Sequence, residues 1–189
     1  DGKHLAQQSL IIEELLTHDL SMRQLRVEME KEKAPVLNQQ INLSEKFLAA
    51  LPFKLTAAQE KVVSDINFDL EKSTPMQRLV QGDVGSGKTV VAALAMLKAI
   101  ESGYQAAIMA PTELLEEQHF QNFKNWLEPL GINVIWLSGK LKTAAKREAI
   151  EKINSAEGQV VVGTHALFQE GVEFLKLGLI VVDEQHRFG

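Results

Sequence analysis

The 189-residue sequence predicts an α/β fold in which a parallel β-sheet is flanked by helices and preceded by a helical segment. Three observations predict it. Four short, nearly all-apolar runs at 106–110, 134–137, 160–162 and 179–182 alternate with stretches of helical periodicity, the pattern of buried parallel strands joined by right-handed crossovers. The stretch Gly82-Asp83-Val84-Gly85-Ser86-Gly87-Lys88-Thr89 satisfies G-x-x-x-x-G-K-[ST], a loop that lies between a strand and a helix. The run 179–182 ends in two adjacent carboxylates, Asp183 and Glu184.

Taken in order, residues 3–33 set Ile12, Leu15, Leu16, Met22, Leu25 and Met29 among Glu, Gln, Lys and Arg, the spacing of one long amphipathic helix ending ahead of Pro35. Its interleaved acids and bases read as a solvated face, and its apolar stripe needs a partner surface. A short helix is predicted over 44–51, with Ser44 as its cap, Glu45 in its first turn and Pro52 beyond it. Thr56 caps a third helix reaching about Glu71, and Gln59 at its third position completes a capping box. Gln59 has a second reading, as an amide whose donor and acceptor together read an adenine edge. Spacing alone favours the cap.

Leu79-Val80 leads into the glycines, and 89–102 is apolar nearly all round from Val90 to Leu97, as a helix buried against a sheet should be. Gly103 stops it. After strand 106–110, Pro111-Thr112 opens a helix whose Phe120, Phe123, Leu127 and Leu130 recur at spacings of three and four, with Gly131 at its end. Strand 134–137, the loop Ser138-Gly139-Lys140, a helix over 143–154 and strand 160–162 repeat the pattern. A turn-rich segment, 163–178, precedes the last strand. Thr112 and Thr143 read as helix caps, and Trp126 and Trp136 read as core.

Glycines between a strand and a helix let backbone N–H groups close around phosphate oxygens, which makes 82–89 a candidate nucleoside triphosphate site. Lys88 reaches the outer phosphates, and the Thr89 hydroxyl ligates Mg2+. Asp183, at a strand end, supplies the second Mg2+ ligand, and Glu184 accepts a proton from the water that attacks the γ-phosphate. The plainer readings are a Gly-rich turn and two solvated residues leaving a strand. The pairing of the two motifs argues against both. Gln185 and His186 stand beside these carboxylates, placed to report the γ-phosphate state. His4, His18 and His119 have no such neighbours and are set aside, and no His, Asp and Glu set shows zinc-ligand spacing, so the nucleotide's Mg2+ is the only metal expected.

Composition narrows the function classes. With 45% hydrophobic and 24% charged residues, the chain can bury a sizeable core. A net charge of -5 excludes a globally basic nucleic-acid binder, so any DNA contact must be local. Absence of cysteine excludes disulfides, zinc–cysteine sites and thiol chemistry, and suits a reducing cytoplasm. No apolar run approaches the roughly 18 residues of a membrane span, so no membrane association is expected. The chain opens without Met and stops a few residues past a predicted strand, which reads as a piece of a longer protein.

Five stretches carry a resemblance: LPFKLTAAQ at 51–59, GDVGSGKT at 82–89, APTELL at 110–115 followed by Gln118 and His119, VGTHAL at 162–167, and DEQHRFG at 183–189. In order and spacing they resemble the first motor lobe of superfamily-two DNA helicases, and most closely the RecG branch-migration family. The resemblance implies a RecA-like P-loop NTPase lobe over 51–189, truncated after the DEQH motif, and a helical linker over 1–50. It also implies ATP and Mg2+ as cofactors and Gln59 as the adenine-reading residue, reversing the preference for a cap. By the same resemblance Lys88, Asp183 and Glu184 run hydrolysis, and Gln185 and His186 couple it. Pro111, Thr112 and Glu113, Ser138 with Gly139, and Thr164 with His165 would meet the DNA backbone, where contacts carry no sequence information and suit a motor stepping along any DNA.

The implied partners are branched double-stranded DNA, such as forks and Holliday junctions, and single-strand binding protein. The implied location is the bacterial cytoplasm, at the nucleoid. In this family the arginine that completes the charge around the γ-phosphate comes from a second lobe, so the chain alone is expected to bind ATP weakly and hydrolyse it slowly. The transcription-repair coupling factor and the primosomal helicase share much of the pattern and rank second. A non-motor nucleotide-binding module is the alternative from another class.

Overall fold

The computed structural model describes residues 31–39, 41–83 and 85–183, together with positions 16, 17, 20, 24 and 28. Those five positions are helical and exposed, and the rest of the helix predicted over 3–33 lies outside the described residues. Four strands, β1 (Gln105–Met109), β2 (Val134–Leu137), β3 (Val160–Gly163) and β4 (Leu177–Val182), form one sheet in the order β2-β3-β1-β4. Every pairing is parallel. The helices are α1 (Leu43–Ala50), α2 (Ala57–Leu70), α3 (Lys88–Glu101), α4 (Glu113–Leu127) and α5 (Thr143–Asn154), with short 3-10 turns at Glu128–Leu130 and His165–Phe168.

The period of two along each strand divides the core. Ala106, Ile108, Val160 and Val162 face a cluster built from α3 and α4, including Leu94, Leu97, Phe123 and Leu127. Their neighbours Ala107, Met109 and Val161 face the other way, onto Ala149 and Ile153 of α5. β1 and β3 are buried along their whole length, as strands covered by helices on both faces must be. The all-round apolar α3 is correspondingly central, and Met96, Leu97, Ala93 and Ala99 show no exposure at all.

Three predicted features differ in detail. Leu79-Val80 forms no ladder among the described residues, and Leu79 is 67% exposed. Within the sheet as described, β4 pairs only with β1, leaving Ile180 and Val182 exposed, so no neighbouring strand reaches 79–80. Ser44 is not the cap of α1. The helix begins one residue earlier, after Asn42, and its first N–H groups, those of Leu43 and Ser44, donate to Glu101 Oε1 at 2.6 and 3.3 Å. Thr143 likewise opens α5 as a helical residue, following Lys142, whose side chain makes no cap bond.

Leu37 and Phe47 lie in the region expected as a linker, yet both are almost fully buried in the same core as α3. Leu37 N–H donates to Leu70 O at 3.0 Å, which threads 34–37 beside the end of α2. Residues 34–37 and α1 are therefore packed onto the lobe.

Candidate nucleotide site and nucleic-acid rim

Because all four strands are parallel, their C-terminal ends lie on one edge, where open α/β sheets bind ligands. Only residues 102–104 separate α3 from β1, so α3 runs back along the sheet and its N-terminus reaches this edge. Gly103, at φ 80°, makes the sharp turn, with its N–H donating to Ile100 O at 2.9 Å.

The phosphate loop is assembled at that N-terminus. Gly87 caps α3 in the left-handed region, at φ 81°, and no side chain caps the helix. The first N–H groups of a helix have no intrahelical partner, and they carry the positive end of its dipole. A Cβ on Gly87 would collide with Gln59 Nε2, and one on Gly82 would come within 2.6 Å of Ser86 Oγ. At Gly87 the left-handed backbone itself favours glycine, and a side chain there would displace the Gln59 amide. Lys88 Nζ donates to Gly82 O at 2.7 Å and Asp83 O at 3.0 Å, so the ammonium is held across the loop by carbonyl groups. A bound phosphate would offer it charged acceptors instead.

Gln59 makes the predicted capping box: its Oε1 accepts from Thr56 N–H at 2.8 Å, and Thr56 Oγ1 accepts from Gln59 N–H at 3.3 Å. A further contact is not visible in the spacing. Gln59 Nε2 donates to Ser86 O at 2.8 Å, tying α2 to the phosphate loop.

Asp183 follows β4 directly, and its N–H donates to Met109 O at 2.9 Å. Its side chain answers to a residue that the sequence reading sets aside. His119 Nε2 stands 2.7 Å from Asp183 Oδ2, with His119 itself 8% exposed. His119 therefore does have a carboxylate neighbour, 64 residues away in sequence. The signal was its place on the buried stripe of α4, four residues before Phe123, on whose ring it stacks at 5.9 Å. Glu184, Gln185, His186 and Val84 lie outside the described residues.

The residues present fit a magnesium nucleotide. Mg2+ takes one or two carboxylates and completes its shell with phosphate oxygens and water. Among the described residues no group of three or more His, Asp or Glu side chains converges on a metal position, so the phosphates would have to supply that share. The half-buried Thr89 at the first turn of α3 and Asp183 after β4 are the two protein ligands at hand, and α3 packs on β4.

The loops expected to touch DNA lie along the same edge. In the order of the sheet they follow β2 (138–140), β3 (164–165) and β1 (111–113), with Asp183 after β4. Thr112 is exposed and caps α4, its Oγ1 accepting from Leu115 N–H at 3.4 Å. Glu113, Gly139 and His165 are exposed, and Pro111 and Thr164 are half-buried. Ser138 departs from expectation. It is completely buried, its Oγ accepts from Lys140 N–H at 3.4 Å, and it shapes the loop without facing solvent. Lys140 is the exposed charged residue there, paired to Glu113 at 2.8 Å.

Beneath this pair lies Glu116, which is fully buried. Burial pushes its carboxyl up to about 7, against the opposing pull of Trp136 and Ser138. Both its oxygens and Trp136 Nε1 lack a geometrically sound hydrogen bond among the described residues.

Comparison with known proteins agrees with this architecture. Residues 56–189 match the DEAD/DEAH box helicase family. The chain is 58% identical over 188 residues to the ATP-dependent DNA helicase RecG of Haemophilus influenzae and 57% identical to that of Escherichia coli K12. Each match covers 100% of this chain and 27% of the relative, so the chain spans about a quarter of their length. A solved structure of RecG bound to a three-way DNA junction superposes with a TM-score of 0.86 and 42% identity, covering 94% of this chain and 24% of that one. A hypothetical ATP-dependent RNA helicase from Sulfolobus tokodaii shares the fold at a TM-score of 0.59 and 21% identity, over 78% of this chain and 42% of that one. With its parallel sheet, its phosphate loop at the start of α3 and its carboxylate after β4, the chain is a RecA-like helicase lobe and belongs to the DEAD/DEAH box helicase family.

Proposed function

We propose that this chain is the ATP-binding lobe of an ATP-dependent DNA helicase of the RecG type, one that moves along double-stranded DNA and remodels forks and recombination junctions in repair. One observation carries the reading: a single sheet edge holds both the phosphate loop with Asp183 and the loops 111–113, 139–140 and 164–165, each of which exposes at least one residue. Nucleotide chemistry and backbone contact thus share one rigid element. The high identity to RecG over the whole chain, and the RecG structure solved on a three-way junction, favour branched DNA as the substrate.

In this reading Lys88 and the α3 N-terminus bind the phosphates, Thr89 and Asp183 hold Mg2+, and Glu184 positions the attacking water. Bound Mg2+ supplies neutralisation of the charge on the transferring phosphoryl group. Gln59 holds the loop and reads adenine, Gln185 and His186 sense the γ-phosphate, and the protein works at the bacterial nucleoid, where single-strand binding protein is a partner.

The test is Glu184→Gln in the full-length protein. A motor keeps ATP binding and loses fork remodelling, whereas a module in which ATP only sets conformation keeps both. Retained fork remodelling in that variant would refute the motor reading.

A further inference from the structure

We propose that His119 is a positioning residue that aims the Asp183 carboxylate at the magnesium nucleotide and couples it to the 110–112 loop. The inference rests on the nucleotide-site reading above and adds to it a residue outside both the phosphate loop and the carboxylate motif.

Two of the contacts that hold Asp183 belong to one excursion of the chain. Its N–H donates to Met109 O at the last residue of β1, and its Oδ2 accepts from His119 Nε2–H on the second turn of α4. Between Met109 and His119 lie Ala110, Pro111 and Thr112, the rim segment that starts α4 through the Thr112 cap. A displacement of that loop moves the start of α4, and α4 carries His119 with it. The ring cannot turn aside independently: it is buried and stacked at 5.9 Å, with 27° between planes, on Phe123, which has no exposure.

The hydrogen bond suits this role. A carboxylate has about four lone-pair positions, so an N–H donated to Oδ2 fixes the orientation of the group while leaving it capacity for a cation. Partners of metal-binding carboxylates orient them, and removing such a partner typically costs about 10–100-fold in metal affinity or activity. A histidine that served only to fill the core would lower folding stability when removed and leave the response to Mg2+ untouched.

The experiment compares His119→Ala and His119→Gln in the full-length protein, using a fluorescent ATP analogue titrated with and without Mg2+, thermal melting without nucleotide, and ATPase rates with and without junction DNA. His119→Ala is expected to bind the analogue within about twofold of wild type in the absence of Mg2+. It should need roughly tenfold more Mg2+ for half-maximal enhancement, and show about a tenfold lower DNA-stimulated kcat with little change in KM. His119→Gln, which keeps a side-chain N–H donor, should recover most of both.

A wild-type Mg2+ requirement and wild-type DNA stimulation in His119→Ala would overturn the proposal. So would a lowered melting temperature with an unchanged Mg2+ requirement, and so would equal loss in both variants. If wild-type protein binds the magnesium nucleotide and fails to remodel junctions, the functional reading fails while the Mg2+ titration of the variants still decides the role of His119.

Discussion

Gln59 Nε2 donates to Ser86 O at 2.8 Å while Gln59 Oε1 accepts from Thr56 N–H at the same distance, so one amide both caps α2 and clasps the phosphate loop. The two ends are separable by mutation. Gln59→Glu keeps an acceptor at the third position, where a capping box accepts Glu as readily as Gln, and turns the donor facing Ser86 O into an acceptor. The melting temperature should stay near wild type, while nucleotide affinity falls roughly tenfold, about 1.4 kcal/mol. Gln59→Ala loses both ends and should also destabilise the fold by about 0.5–2 kcal/mol. Equilibrium denaturation beside nucleotide titration separates the two effects.

Glu101 holds α1 onto the lobe in a comparable way. It is 3% exposed, and its Oε1 accepts the first two N–H groups of a helix 57 and 58 residues away. Carboxylate acceptors are roughly twice as strong as neutral ones, and a helix N-terminus favours negative charge. Glu101→Ala should cost about 1–3 kcal/mol by denaturant unfolding, because two half-buried donors lose their partner. Glu101→Gln should cost less than half of that. Protease cleavage within 38–52 is expected to speed up in the alanine variant, as α1 peels from the core.

The pattern of these contacts shows how far the sequence could be read. Strands such as Val160–Gly163 and the cap at Thr56 were legible because burial on both faces and a capping box leave local marks. The Glu101 cap of α1 was not, because a good local candidate, Ser44, competes with a partner that only folding brings near. Ser138 reads as a loop hydroxyl, yet the loop folds over it. His119 and Asp183 meet only because α4 follows β1 and packs on β2 and β3, while β4 joins the sheet beside β1. No spacing rule records that.

Glu116 makes a prediction about pH. Its carboxyl has an ordinary value of 4.5 and is raised to about 7 in the folded chain, chiefly by burial. Between these values the folded state holds a proton that the unfolded state releases, so stability falls as pH rises from about 4.5 to about 7 and levels off above. The loss attributable to this group is on the order of 3 kcal/mol. Glu116→Gln cannot ionise, so its unfolding free energy should decline less than that of wild type between pH 5 and pH 8. Parallel slopes for the two proteins in denaturant titrations at those pH values would show that Glu116 keeps an ordinary pKa.

The Glu113–Lys140 pair sets up the last prediction, which concerns DNA affinity. The two side chains are 49% and 66% exposed and 2.8 Å apart, and Glu113 raises the pKa of Lys140, keeping it charged. An exposed pair of this kind adds little to folding, so its consequence lies in the field it presents at the rim. With Ser138 buried, Lys140 is the only cation in the 138–140 loop, and Glu113 holds it against the 110–112 loop. If that loop meets a phosphate, Lys140 must exchange a carboxylate for it, and the carboxylate competes. Lys140→Ala should weaken binding to junction DNA of any sequence and reduce the slope of log affinity against log salt by about one. Glu113→Gln should do the opposite at low salt, strengthening binding while melting is unchanged. A filter-binding series at several salt concentrations checks both; equal salt slopes for wild type and Lys140→Ala would place the phosphate contact elsewhere on the rim.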